Sequence, residues 1–263
     1  MKIVCLVENT GQPGLFVEHG LSLYIEANGR RILFDAGQSA AFADNAALLG
    51  VSLEDVDMAI LSHGHYDHRG GLLRFMEINR HAPVYVNRNA FESFHSGPDK
   101  YIGLEPALKN HPRFVLTDDD VDLGCGMTLC TMNGADRPYP SFGQGLTVEK
   151  NGKRIPDSFL HEQYLTIREN GRRIVFSGCS HKGIMNIVSW LAPDVLLGGF
   201  HFMKLDPGQE ADKRTLKDAA ECLLSSSTEF YTCHCTGEAP YTFIKPLMGG
   251  RLHYLSGGDV LHL

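Results

Sequence analysis

The chain has 263 residues, 43% of them hydrophobic and 21% charged, enough for a sizeable core in an ordinary soluble composition. A formal net charge of −7, with no basic run longer than pairs such as Arg30-Arg31 and Arg172-Arg173, argues against a nucleic-acid-binding face. No stretch approaches the roughly 20 apolar residues of a membrane span, and "MKIVCLVENT" lacks the features of a secretory signal. Seven irregularly spaced cysteines suggest no disulfide framework, so a cytoplasmic setting is expected.

In chain order, "KIVCLVE" reads as a strand. "LSLYIEA" and "RRILFDA" flank Asn28-Gly29, a hairpin signal because a type I′ turn needs positive φ at both central residues. "SAAFADNAALLG" reads as a helix stopped by Gly50. "MAILS" reads as a buried strand, "GGLLRFMEINRHAP" as a helix ended by Pro83, and "VYVN" as a strand. Residues 88–115, rich in Gly, Pro and aromatics, read as a long excursion over the core with the composition of a lid. Strands "MTLCTM", "VLLGGFH" and "FYTCHC" follow, with a second hairpin turning at Asn170-Gly171 and helices in "KGIMNIVSWLA" and "DKRTLKDAAECLLSS". The order suits α/β layers in a single domain over residues 1–263.

The segment "AILSHGHYDHRGGL" carries the chemistry. His63, His65, Asp67 and His68 fall within six residues at the end of a buried strand, just before Gly70-Gly71. On extended backbone, residues two apart point the same way, so His63 and His65 can converge on one point. After the turn, Asp67 and His68 can face a second. Imidazole and carboxylate donors favour zinc, iron or manganese, so the loop can seed two adjacent metal positions.

"LFDAG", "AILSHGHYDHRGGL", "IVFSGCSHKG" and "TCHCTG", in that order, resemble the metallo-β-lactamase superfamily. The resemblance implies an αββα four-layer sandwich with its metal site at the edge between the sheets. With "EHGLS", "GCSHKGIMNI" and "GGFH" added, it narrows to a group of metal-dependent hydrolases and dihydropterin–ribofuranosylaminobenzene phosphate synthases. It implies His63 and His65 in one metal site, Asp67 and His68 in the other, and His234 as the last histidine ligand. Where many members carry a bridging Asp after Gly, this chain has Gly178-Cys179. Cys179 is therefore either a thiolate ligand or an inert buried thiol. His181 is favoured over His161 as the remaining histidine ligand.

Asp35 either supports a metal-binding histidine or caps the next helix. His201 and His19 could each reach substrate. Lys182, beside a helix N-terminus, could hold a phosphate group, or could be a solvated side chain. Phe91, Phe94 and Tyr101, and equally Tyr139 and Phe142, could stack on a planar substrate or form small aromatic cores.

Two divalent cations, zinc foremost, would activate water for hydrolysis, with Asp67 as the catalytic carboxylate that orients the water or takes its proton. The expected activity is a metal-dependent hydrolase acting on an anionic small molecule that bears phosphate or diphosphate. The alternative is a transferase that joins a dihydropterin methyl diphosphate to a ribofuranosylaminobenzene phosphate. A di-iron oxidoreductase and a non-catalytic metal-binding protein rank below both. Neither nucleic acid nor membrane is an expected partner.

Overall fold

The computed structural model describes residues 1–263, the side chain of Ala107 aside. The first sheet is built from β1 (Lys2–Val7), β2 (Ser22–Ala27), β3 (Arg30–Phe34), β4 (Met58–Ile60) and β5 (Val84–Asn87). The chain continues through β6 (Ser93–Ser96), β7 (Lys100–Tyr101), β8 (Phe114–Thr117), β9 (Val121–Gly124), β10 (Met127–Cys130), β11 (Leu146–Lys150) and β12 (Lys153–Pro156). Then follow β13 (Tyr164–Glu169), β14 (Arg172–Phe176), β15 (Val195–Leu197), β16 (Glu229–Thr232), β17 (Leu252–Tyr254) and β18 (Val260–His262). Two seven-stranded sheets result, ordered β18-β1-β2-β3-β4-β5-β8 and β17-β16-β15-β14-β13-β10-β9, with a four-stranded sheet β12-β11-β6-β7.

Side-chain alternation explains the layering. Ile3, Leu23, Ile25, Ile32, Phe34 and Ile60 of the first sheet meet Leu129, Leu165, Ile167, Phe176 and Leu197 of the second in a shared apolar interior. The Phe34 and Phe176 rings lie 5.7 Å apart across it. The opposite faces pack on helices. Val4, Leu6, Leu33 and Ala59 lie in one core with Phe42 and Phe75, which belong to α1 (Ala41–Leu48) and α3 (Leu72–Ile78). A single turn, α2 (Tyr66–Arg69), lies between those two helices in the chain. Val175, Leu196 and Phe230 pack with α4 (Ile184–Leu191), α5 (Glu210–Leu224) and α6 (Glu238–Met248). This is the αββα sandwich. Among the described residues no helix is long and apolar enough to cross a membrane.

Both Asn-Gly hairpins form, with φ of 48° and 73° at Asn28 and Gly29 and 52° and 78° at Asn170 and Gly171. The helix read as running to Pro83 stops at Ile78. Asn79 turns extended, and its amide donates to the carbonyls of Leu53, Glu54 and Val56, so tertiary hydrogen bonds end the helix before the proline does. The excursion 88–115 is not a bare lid. It contains β6, β7 and β8, and β6 pairs with β11, some fifty residues later in the chain. The sequence reading also passed over α6, because Pro240 and Pro246 disguise it. Pro240 lies in the first turn, where a missing N–H leaves no hydrogen bond unmade, and Pro246 lies near the end.

Within each large sheet, β3-β4-β5-β8 and β14-β15-β16-β17 run parallel to their neighbours. Their carboxyl ends therefore open together. Asp35 follows β3, Ser62–His68 follow β4, Cys179–Lys182 follow β14, His201 follows β15 and His234 follows β16. Open α/β sheets gather ligands at this edge.

Candidate metal centre

Two glycines let the histidine turn close. A Cβ on Gly70 or Gly71 would strike the backbone of residues 36–39, and Ala36 N–H donates to His68 O at 2.7 Å. Asp35, His201 and His234 have φ of 59°, 56° and 48°. Such left-handed backbone in non-glycine residues concentrates at sites the surrounding structure holds in place.

Acceptor-only partners reveal where the ring protons are. The Asp35 carboxylate is fully buried and accepts from Ser62 N–H, Ser62 Oγ–H and His68 Nδ1–H, each at 2.7 Å. With its proton on Nδ1, His68 presents a lone pair at Nε2. Ser62 gives its hydroxyl proton to Asp35, so its oxygen accepts from His63 Nδ1–H at 2.8 Å, leaving His63 Nε2 unprotonated. Asn9 Oδ1 accepts from His234 Nδ1–H at 2.8 Å, so His234 Nε2 also carries a lone pair. The Asn9 amide N–H donates to His19 Nδ1 at 3.4 Å, which leaves His19 an Nε2–H to donate to Asp67 Oδ2 at 3.2 Å.

The freed lone pairs face one another. His63 Nε2 is 3.2 Å from His181 Nε2, and His234 Nε2 is 3.3 Å from Asp67 Oδ2. Nine buried side-chain polar atoms among the described residues have no hydrogen-bond partner, and three of them, His65 Nε2, His181 Nδ1 and His234 Nε2, lie together at this edge. Buried polar atoms are rarely left so, and each costs about 1–3 kcal/mol. Burial lowers the His63 and His181 pKa values well below normal, with His65 at about 3 and His234 at about 4, so these rings stay neutral, as ligands must be. Burial pushes the Asp67 carboxyl up, but the His19 hydrogen bond and adjacent His234 outweigh it and hold Asp67 well below the usual carboxylate range. Burial likewise opposes protonation of His68, yet Asp35 prevails and raises it. The donor atoms form groups within 4.8 Å: His63, Cys179 and His181; His68, Cys179 and His234; His19, Asp67 and His234; His65, Asp157 and His161. Neutral imidazoles, a carboxylate and a thiol with unengaged lone pairs suit one or two divalent cations.

The site opens through a hollow of about 170 Å³. His65, Asp67, Cys179, His181, His201 and His234 line it, and Lys100 and Lys204 stand among its walls. Lys100 Nζ donates to Tyr66 Oη at 2.9 Å and Lys204 Nζ to Gln144 O at 2.8 Å, so each cation is tethered and still exposed.

A model of the metallo-beta-lactamase superfamily matches residues 15–220. The chain belongs to the metallo-β-lactamase superfamily. Its members bind divalent metals and are mostly metal-dependent hydrolases. The 7,8-dihydropterin-6-methyl-4-(β-D-ribofuranosyl)-aminobenzene-5′-phosphate synthase of Methanocaldococcus jannaschii is 32% identical over 269 residues, covering 90% of this chain and 88% of that protein. An uncharacterized protein of the same organism is 29% identical over 255 residues, covering 93% and 94%. The crystal structure of Tm1679, a metal-dependent hydrolase of the β-lactamase superfamily, matches with a TM-score of 0.81 at 28% identity, covering 100% of this chain and 99% of that one.

Against this metallo-β-lactamase frame, His63, His65, Asp67, His68, His181 and His234 meet at one edge, as does Cys179. His161 is nearby, but Gly64 N–H donates to its Nδ1 at 2.9 Å and its Nε2–H donates to Asp157 at 3.0 Å, so it has no lone pair left. Asp35 contacts His68 and is not a helix cap; residue Ala40 occupies that position. His201 donates Nδ1–H to Phe142 O at 2.9 Å and turns its other edge to the hollow.

The reading of Lys182 as a phosphate-holding or solvated side chain is corrected. Its side chain is fully buried, donates to Thr131 O and Glu162 O at 2.5 and 3.0 Å, and does not line the hollow. Burial pushes its pKa down to about 8. None of the five aromatics lines the hollow either. Phe91 and Phe94 sit in separate apolar cores, Tyr101 donates to Leu104 O, and Phe142 packs on Phe202. Tyr139 borders a different hollow, beside Cys222. Asn9, Ser62, Asp157, Glu162, Lys100 and Lys204 were not singled out from sequence. Only Ser62, between a buried strand and His63, carried a local signal.

Proposed function

We propose that the chain is a metal-dependent hydrolase of phosphate-bearing anionic small molecules. His63, His65 and His181 would hold one divalent cation, and Asp67, His68 and His234 a second. Zinc is the first expectation for both. The observation that carries this reading is that three buried ring nitrogens without partners, His65 Nε2, His181 Nδ1 and His234 Nε2, belong to residues lining one hollow. Bound cations would supply Lewis-acid polarisation of the scissile centre and a more acidic water. Asp67, ionised and fixed by His19, orients the attacking water. His201 offers its free ring edge to the substrate. Lys100 and Lys204 draw the anionic group into the mouth, a role the buried Lys182 cannot fill.

The relative at 32% identity supports a second reading, in which water is replaced by an aromatic acceptor. That acceptor, a ribofuranosylaminobenzene phosphate, attacks the methylene carbon of a dihydropterin methyl diphosphate. The carbon–oxygen bond breaks and diphosphate leaves.

The test uses protein stripped of metal by chelator and reloaded with zinc. Release of phosphate from a panel of phosphoesters supports the hydrolase. If the panel is inert but the pterin diphosphate and acceptor condense, detected by mass spectrometry, the transferase stands instead. Zinc binding with neither product sinks both readings.

A further inference from the structure

Two residues, Cys179 and His234, each belong to two of the donor groups, and Cys179 is the one that joins the group of His63 to the group of His68. Its Sγ lies with His63 and His181 in one set and with His68 and His234 in the other, all donor atoms of each set within 4.8 Å. The loop that carries it admits little adjustment. Gly178 has φ of 63°, and a Cβ there would collide with Ser62 Oγ; Ser180, at φ of 58°, donates its hydroxyl to Ser177 Oγ at 2.8 Å. Gly199 N–H donates to Gly178 O at 2.7 Å and ties the loop to the next strand end. Cys179 is thus held between the two sets, its sulfur 3.1 Å from His68 Nε2. In the neutral ring that nitrogen carries the lone pair, since the proton sits on Nδ1 and is engaged by Asp35, and the contact is then a thiol S–H donating to nitrogen.

We propose that Cys179 serves as one thiolate shared by both cations, and that this sulfur selects zinc over manganese or magnesium. The idea rests on the metal-dependent reading above and adds the identity of the bridging group. On binding, the S–H bond breaks, the proton leaves to solvent, and two sulfur lone pairs face the two cations. Among the remaining donors only Asp67 would bring a negative charge to the two cations; a thiolate adds a second. Thiolate sulfur is a soft donor that suits zinc and cobalt and disfavours manganese and magnesium, which take oxygen donors.

The test is a cobalt(II) titration of the full-length metal-free protein, following the near-ultraviolet sulfur-to-cobalt charge-transfer band. A shared thiolate makes the band grow through both equivalents. Cys235, whose thiol donates to Cys179 O at 3.5 Å, is the control: Cys235→Ser keeps the band. Cys179→Asp is expected to bind two equivalents of cobalt without the band, and to lose most of the preference for zinc over manganese. A band that develops with only one equivalent, or that survives in Cys179→Asp, overturns the proposal. Two bound equivalents without any band in the unsubstituted protein overturn the shared thiolate alone, whereas failure to bind cobalt overturns the metal-dependent reading as well.

Discussion

Replacing Asp35 by Asn is expected to weaken metal binding by about 10–100-fold while leaving the protein folded. The carboxylate accepts three hydrogen bonds of 2.7 Å, from Ser62 N–H, Ser62 Oγ–H and His68 Nδ1–H. Asn keeps the shape and tolerates the φ of 59° at this position. Its amide nitrogen, however, sets donors against Ser62 Oγ–H and His68 Nδ1–H. The cheapest relief is a tautomer change that moves the His68 proton to Nε2, where it blocks the lone pair meant for a cation. The loss corresponds to about 1.4–2.7 kcal/mol of binding. Losing one charge-assisted hydrogen bond should also lower folding stability by about 1.5–3 kcal/mol. Competition with a chromophoric chelator measures the first quantity and denaturant unfolding of the metal-free protein the second. Unchanged zinc affinity in Asp35→Asn would show that the tautomer argument is wrong.

His181→Ala should drop bound zinc below two equivalents, while His161→Ala should keep two at weaker affinity; elemental analysis after dialysis separates them. Lys100→Gln with Lys204→Gln should raise KM for a phosphate-bearing substrate by about 10-fold or more, with kcat little changed and a shallower salt dependence. Lys182→Met should destabilise the fold by about 1–3 kcal/mol through the orphaned Thr131 and Glu162 carbonyls, without a selective rise in KM; unfolding and steady-state kinetics on one preparation decide it. Burial pushes the Cys130 thiol up to about 12. It therefore stays protonated in the fold when the unfolded thiol ionises above about pH 8.5. The unfolded state then binds fewer protons, and stability falls as pH rises from there towards the folded value. The contribution lost by pH 10 is about 2 kcal/mol, so the stability gap to Cys130→Ala should narrow between pH 7 and pH 10 in paired unfolding curves.

The local signals in the chain were sufficient for much of this picture. Asn28-Gly29 and Asn170-Gly171 need positive φ, and the four-donor turn 63–68 declares its chemistry in six consecutive residues. What lay beyond reach depends on partners far along the chain. β6 is a strand because β11 pairs with it, and α3 ends because Asn79 finds carbonyls at residues 53–56. Asn9 and His234 are 225 residues apart, and residue type alone could not tell His181 from His161. The fold distinguishes the two rings: the Gly64 amide and Asp157 engage both nitrogens of His161, whereas His181 turns Nε2 to His63 and leaves Nδ1 without a hydrogen-bond partner. Sequence by itself determined which donor types the site would use and which strand ends would carry them, because covalent spacing and backbone preference are local. Tertiary structure alone decided which ring nitrogens lack a partner and which lysines line the hollow, because a proton's place on a ring, and a side chain's access to water, depend on what packs against it.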